Sequence, residues 1–237
     1  MIPITDKKIL VPGGNSYSTP VIGLSKHITT NEKEFFDDPD SFSLILFTGG
    51  ADVNPALYGE TSPDGLCGFS PYRDVFEAKI FNLALEHGIK MTGICRGAQF
   101  INVMSGGKLM HHIENHGWSN HEFICANSDM PEILVNSLHH QMIIPPEDGY
   151  TIGWCHPNLS KIYVGDKDEL AIWDKPETEA VFIPRTQCAG VQYHPEMMPR
   201  ESQGFQFYRQ MVVNLLMMNM DEFKLTYMGN IQQQVQI

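Results

Sequence analysis

The chain has 237 residues, 42% of them apolar and 19% charged, which suits one substantial buried core of an ordinary α/β domain. Its formal charge is −12 with no run of Lys and Arg, which argues against a nucleic-acid groove or an anionic membrane surface, because both need clustered positive charge. The odd cysteine count (Cys67, Cys95, Cys125, Cys155, Cys188) lacks a CxxC pair, excluding a disulfide framework or zinc ribbon and predicting a reducing, cytoplasmic setting.

Residues 8–11 read as a short apolar strand stopped by Pro12-Gly13-Gly14, followed by an extended piece at 27–30 and a helix at 32–36. Residues 43–48 are nearly all apolar, as expected of a strand covered on both faces, and stop at Gly49-Gly50. Asp74 and Glu77 read as a capping box opening the next helix. In it Phe76, Ile80, Leu83 and His87 share a face, Val75 and Ala84 lie beside it, and Gly88 supplies a left-handed end. A strand at 89–94 leads into a helix at 98–104, closed by Gly106-Gly107. The second half is more β-rich, with strands expected at 132–136, 150–155, 170–173, 180–183 and 190–193. A helix over 201–218 carries Phe205, Tyr208, Val212 and Leu215 at helical spacing. The alternation predicts an α/β fold with a parallel sheet and crossover helices. Residues 1–219 are expected to form one domain, and 220–237 a polar, fraying tail. No basic-then-apolar leader is present, and no segment approaches the ~20 apolar residues of a spanning helix, so neither export nor membrane insertion is expected.

Gly93-Ile94-Cys95-Arg96-Gly97 has the G-x-nucleophile-x-G form of a nucleophile elbow. A nucleophile on a tight turn between strand and helix projects into a cleft, and small residues on either side let neighbouring backbone approach. The dipole of the helix that starts there favours a thiolate. The backbone N–H of Arg96 then points to where an oxyanion would form. About a hundred residues on, His194-Pro195-Glu196 follows a predicted strand. Residues two apart in extended chain project to one side, so Glu196 is placed to hold the His194 imidazole in the tautomer that accepts a proton from Cys95.

These residues match a family. Gly93-Ile94-Cys95-Arg96-Gly97-Ala98-Gln99 and His194-Pro195-Glu196 resemble the G-x-C-x-G-x-Q and H-P-E signatures of class I glutamine amidotransferases. Three further segments resemble the γ-glutamyl-γ-aminobutyrate hydrolase group within that superfamily: Gly49-Gly50-Ala51-Asp52-Val53-Asn54-Pro55 with Tyr58-Gly59-Glu60; Arg73-Asp74 with Phe76-Glu77; and Val135-Asn136-Ser137-Leu138-His139-His140-Gln141. The resemblance spans residues 43–196; the region before Ser43 looks shorter than is usual for that group.

The resemblance implies a flavodoxin-like three-layer α/β sandwich around a mostly parallel sheet. It implies a γ-glutamyl thioester on Cys95, hydrolysed by a water that His194 activates, and an oxyanion hole from the backbone N–H groups of Gly50 and Arg96. Gln99 matches the position that helps hold the glutamyl group, and His139 or His140 would border the substrate pocket. The implied substrate is a γ-glutamyl amine, a γ-glutamyl peptide or glutamine, with no cofactor or metal. The alternative is a glutaminase subunit feeding ammonia to a ligase or synthetase partner; a homodimer also fits.

His111, His112, His116 and His121 cluster after Gly107, His112 and His116 at i, i+4 spacing. Without an H-E-x-x-H pattern they are expected in a loop near the cleft mouth rather than on a metal. Asp52 and Arg73 fit substrate binding and loop bracing equally. The methionines around 217–220 read as adaptable packing.

Overall fold

The computed structural model describes residues 3–62 and 65–229. In chain order its strands and helices are β1 (Lys8–Leu10), β2 (Ile28–Thr29), α1 (Glu32–Asp37), β3 (Phe42–Phe47), α2 (Pro71–Glu86), β4 (Lys90–Ile94) and α3 (Arg96–Met104). Then come β5 (Lys108–Met110), β6 (His112–Ile113), β7 (Ser119–Cys125), β8 (Ile133–Ser137), β9 (Met142–Ile144), β10 (Tyr150–His156) and β11 (Tyr163–Val164). The last are β12 (Glu177–Ile183), β13 (Cys188–Val191), α4 (Gln203–Met217) and α5 (Met220–Met228).

Among the described residues nine strands form one sheet in the order β2-β1-β3-β4-β13-β12-β10-β7-β8. From β2 to β13 every pairing is parallel; from β13 to β8 every pairing is antiparallel. Only β12 and β7 therefore run against the other strands, and the sheet is mixed but mostly parallel in direction.

Period-two alternation sorts β3 onto two faces. Leu44 and Leu46 join a core with Ile9, Ile94 and Val191 that α4 and α5 cover through Tyr208, Met211, Leu215, Phe223 and Tyr227. Ile45 and Phe47 join the opposite core, covered by α2 and α3 through Ile80, Phe81, Ala84, Phe100 and Ile101. Helices on both faces make the three layers that the α/β pattern predicts, with near-continuous apolar strands between them.

Three expectations need correction. First, α2 starts at Pro71 after Ser70, which makes no side-chain cap bond, so Asp74 and Glu77 lie inside the helix and not in a capping box. Pro71 fixes the first-turn backbone, and both carboxylates face inward, 1% and 2% exposed. The buried stripe is accordingly Asp74, Glu77, Ile80, Phe81 and Ala84, while Val75 is exposed. Second, residues 170–173 form no strand; Leu170 makes one isolated bridge to Val164, and Leu170 and Ile172 stand in solvent. Third, the expected polar tail begins with α5, opened by a true capping box between Asn219 and Glu222. Its Phe223 and Tyr227 are buried among core residues; so few core contacts are easily missed in a polar stretch. Residues 230–237 of that tail lie outside the described residues. No helix among the described residues is long and apolar enough to cross a membrane.

Candidate active site

Cys95 stands between the end of β4 and the start of α3 at φ 52, ψ −113, a conformation that non-glycine residues rarely adopt. It is held there because its N–H donates to Val191 O (2.8 Å) on β13 and its carbonyl accepts from Gln99 N (3.0 Å). The flanking glycines are sterically required. A Cβ on Gly93 would sit 2.3 Å from the Gly97 carbonyl carbon, and one on Gly97 would sit 2.1 Å from Phe47 O. Backbone fills both spaces. Cys95 is 7% exposed, and its Sγ lies 3.8 Å from Leu138 O, at the end of β8.

Parallel pairing of β13 beside β4 brings the second half of the motif to the same sheet edge. His194 Nδ1 lies 2.7 Å from Glu196 Oε1, and both side chains are nearly buried. The pairing matches expectation but its geometry does not: β13 ends at Val191, and Pro195–Met197 is a 3-10 turn that folds Glu196 back onto the ring. Asn136 on β8 clamps the His194 backbone, its Oδ1 accepting from His194 N (2.8 Å) and its Nδ2 donating to His194 O (3.0 Å). Burial disfavours a charge on His194, but attraction to Cys95 and Glu196 outweighs it and pushes the imidazole up to about 10. His194 Nε2, the nitrogen turned away from Glu196, has no hydrogen bond of good geometry. Catalytic hydrogen bonds commonly lengthen in the absence of substrate. Tyr17 packs beside His194, ring centroids 6.4 Å apart. Burial, then the charges of Glu196 and Cys95, raise its pKa and keep the phenol protonated.

The chain after β3 supplies the opposite wall. Arg73 donates from Nη1 to Gly49 O and from Nη2 to Thr48 O, each 2.9 Å, fixing the loop before Gly50. A Cβ on Gly50 (φ 134) would meet Arg73 Nη1 at 2.4 Å, so this bracing requires glycine. Glu77 accepts from Arg73 Nε (2.8 Å) and also from the Arg96 guanidinium, which Asp74 holds as well. One buried carboxylate thus ties together the Gly49–Gly50 loop and the first residue of α3. Neither Gly50 N–H nor Arg96 N–H donates to another of the described residues. Both N–H groups are therefore donors without a protein partner among the described residues.

Known proteins supply the context for this geometry. The family description for peptidase C26 matches residues 23–196. The chain belongs to the peptidase C26 family. Similar sequences include the glutamine amidotransferase-like protein YvdE of Lactococcus lactis, 34% identical over 66% of this chain and 74% of that one. The γ-glutamyl-γ-aminobutyrate hydrolase PuuD of Escherichia coli is 28% identical over 67% of this chain and 65% of that one. A glutamine amidotransferase from Thermotoga maritima has the same fold at a TM-score of 0.51 and 12% identity, covering 95% of this chain and 100% of its own. Membership of C26, with glutamine amidotransferase relatives, indicates a hydrolase or amidotransferase acting on glutamine-related amides.

Within this C26 chain the expected substrate contacts separate. Gln99 is buried, its Nε2 donating to Gln192 Oε1 (3.1 Å) and lying 3.4 Å from Gln141 O. His139 is buried too, bonded to Gln141 O and Glu179. His140 alone of the three has an exposed side chain, facing Asp52 at 3.1 Å. Asp52 also accepts from Gly68 N (2.8 Å) and so braces a loop. The clustered histidines do not form a loop at the cleft mouth: His111, His116 and His121 are interior, and no helix joins His112 to His116. Asn136, Tyr17 and Gln192 were not anticipated as parts of the site. Asn136 and Gln192 were visible as neighbours of the H-H-Q and H-P-E motifs; Tyr17 had no motif to mark it.

Proposed function

We propose that the chain is a free-standing cysteine hydrolase that cuts γ-glutamyl amide bonds. The observation that carries this reading is the Cys95 elbow facing a histidine that Glu196 holds at 2.7 Å. In the first step Cys95 Sγ attacks the amide carbonyl carbon, and the developing oxyanion takes the N–H groups of Gly50 and Arg96, each worth on the order of 3 kcal/mol in comparable sites. The His194 imidazolium gives its proton to the leaving nitrogen as the C–N bond breaks, which leaves a γ-glutamyl thioester and a free amine. His194, now neutral, takes a proton from water; the hydroxide attacks the thioester and releases the γ-carboxylate and the Cys95 thiolate. Arg73 and Glu77 act at a distance by holding both oxyanion donors. The groove beside Leu138, lined by Trp118, Asn136 and Met197, gives the leaving amine room. PuuD, by its name, acts on such a γ-glutamyl amine.

Incubation with a panel of γ-glutamyl amines and with glutamine, with mass-spectrometric trapping of the acyl-enzyme, tests the proposal. Turnover of γ-glutamyl amines with an adduct on Cys95 is expected, and Cys95→Ala should lower the rate by at least ~10³-fold while remaining folded. Hydrolysis of glutamine alone, accelerated by an ATP-dependent synthetase, would favour the other reading, a glutaminase that feeds a partner, which the amidotransferase relatives suggest. No turnover of either class would remove both readings.

A further inference from the structure

Outside the candidate active site, Cys67 repeats the order of groups found there: sulfur, imidazole, carboxylate. Its Sγ lies 3.7 Å from His111 Nδ1, and His111 Nε2 lies 2.8 Å from Glu60 Oε2. Lys108 Nζ donates to the other carboxylate oxygen at 2.7 Å, so Glu60 is held from both sides. His111 is fully buried, whereas Cys67 alone of the five cysteines is partly exposed. Asp52 pins the loop that carries the sulfur, its Oδ2 accepting from Gly68 N–H at 2.8 Å.

Hydrogen-bond chemistry assigns the parts. The Glu60 carboxylate can only accept, so the Nε2 that faces it carries the proton of the neutral ring and Nδ1 keeps a lone pair. Among the described residues the Cys67 sulfur is the one side-chain group within hydrogen-bond reach of that nitrogen. The thiol proton is thus directed at a base that a carboxylate orients, the arrangement by which a nucleophile is activated. At rest the proton stays on the sulfur, because burial pushes the thiol up and the hydrogen bonds of Ser62 and Gln141 only partly offset it. Reaction at this sulfur therefore needs the base.

The neighbouring amide shows what the site lacks. Gln141 is fully buried, its Nε2 donates to Cys67 Sγ at 3.1 Å, and its Oε1 has no hydrogen-bond partner. The thiol gives its only proton to His111 and leaves that acceptor orphaned, which is costly in the interior. A hydroxyl carried on the sulfur would bring a donor to it.

We propose that Cys67 is a second, base-assisted nucleophilic thiol and the site of a reversible oxidation by hydroperoxides. The sulfur attacks the hydroxyl oxygen of the peroxide while His111 Nδ1 takes the thiol proton. The S–O bond forms as the O–O bond breaks, and His111 returns the proton to the departing oxygen, which leaves as water or an alcohol. The sulfur is oxidised to a sulfenic acid, the peroxide is reduced, and a thiol reductant restores the starting state. Glu60 is a positioning residue that keeps Nδ1 of the ring free to accept. No residue of this set belongs to the Cys95–His194–Glu196 group, so the proposal stands apart from the amide that the chain cuts.

The test uses the full chain bearing Cys95→Ala, so that the active-site thiol does not compete. Brief exposure to hydrogen peroxide near neutral pH, then dimedone and peptide mapping, should place the adduct on Cys67 and leave Cys125, Cys155 and Cys188 unlabelled. Cys67 should react at least ~10-fold faster in the folded protein than in the urea-unfolded chain, the reverse of what burial alone would do. His111→Gln and Glu60→Gln should each slow the reaction near neutral pH and approach the parent rate as rising pH ionises the thiol unaided. A purely structural loss would persist at every pH. Should these variants fail to fold, the folded and unfolded rates of the parent decide alone. An unlabelled Cys67, a folded rate no higher than the unfolded one, or a His111→Gln or Glu60→Gln protein that reacts like the parent near neutral pH overturns the proposal.

Discussion

The two halves of the sheet bury charge in opposite ways. In the parallel half, strands β3, β4 and β13 bury no charged side chain, and the buried charge sits on helices, where Glu77 joins Arg73 and Arg96. In the antiparallel half, the charge sits on a strand: Glu177 and Glu179 both point into the protein from β12, toward imidazoles, a phenol and backbone N–H groups. Arginine stays charged at any working pH, so the Glu77 network holds the oxyanion donors permanently. Imidazoles exchange protons near neutral pH, so the other network depends on pH. The half that places the nucleophile leans on guanidinium groups. The half that supports its wall leans on imidazoles.

Glu77→Ala is the strongest way to break this comparison. It leaves Arg96 with Asp74 alone in a site 1% exposed and should cost about 3–5 kcal/mol, read as a lower urea midpoint. An unchanged midpoint would mean that the arginines do not depend on it. Gly97→Ala comes next, because its new Cβ would enter backbone rather than a movable side chain. An overpacking loss of about 1–3 kcal/mol is expected in thermal unfolding, and full stability would show that the elbow is looser than described. Asn136→Ala sharpens the contrast from the other side, since Asn136 lies on β8 yet clamps His194. Turnover should fall by about tenfold, equivalent to ~1.4 kcal/mol of barrier, with little change in unfolding temperature. The reverse pattern, lost stability with normal turnover, would make Asn136 merely structural.

The same division explains what the sequence made legible. Continuous apolar runs announce strands buried on both faces, so β3 and β4 are readable, and the glycines at 93 and 97 announce the elbow that main-chain atoms fill. His194 and Glu196 were recognisable as a pair, although a 3-10 turn and not strand alternation joins them. Strand β7 went unseen because Ser119, Asn120, His121 and Glu122 look like loop, yet its alternate residues are buried. Asp74 and Glu77 looked like a helix start for a related reason: acidic residues are common there, and only Arg96, about twenty residues on, reveals that they face inward. In both cases polar residues are buried by packing against distant parts of the chain, and local pattern carries no record of it.

The strand order also has a consequence for the chain's synthesis. β4 is complete at Ile94, but its neighbour β13 begins only at Cys188 and must slot between β4 and β12. Until those residues leave the ribosome, the strand that presents the sulfur has an unpaired edge, open to wrong pairings. The imidazole arrives with the same late segment. A nascent or prematurely terminated chain therefore carries the thiol without its base, so no partial product can display uncontrolled thiol chemistry assisted by His194.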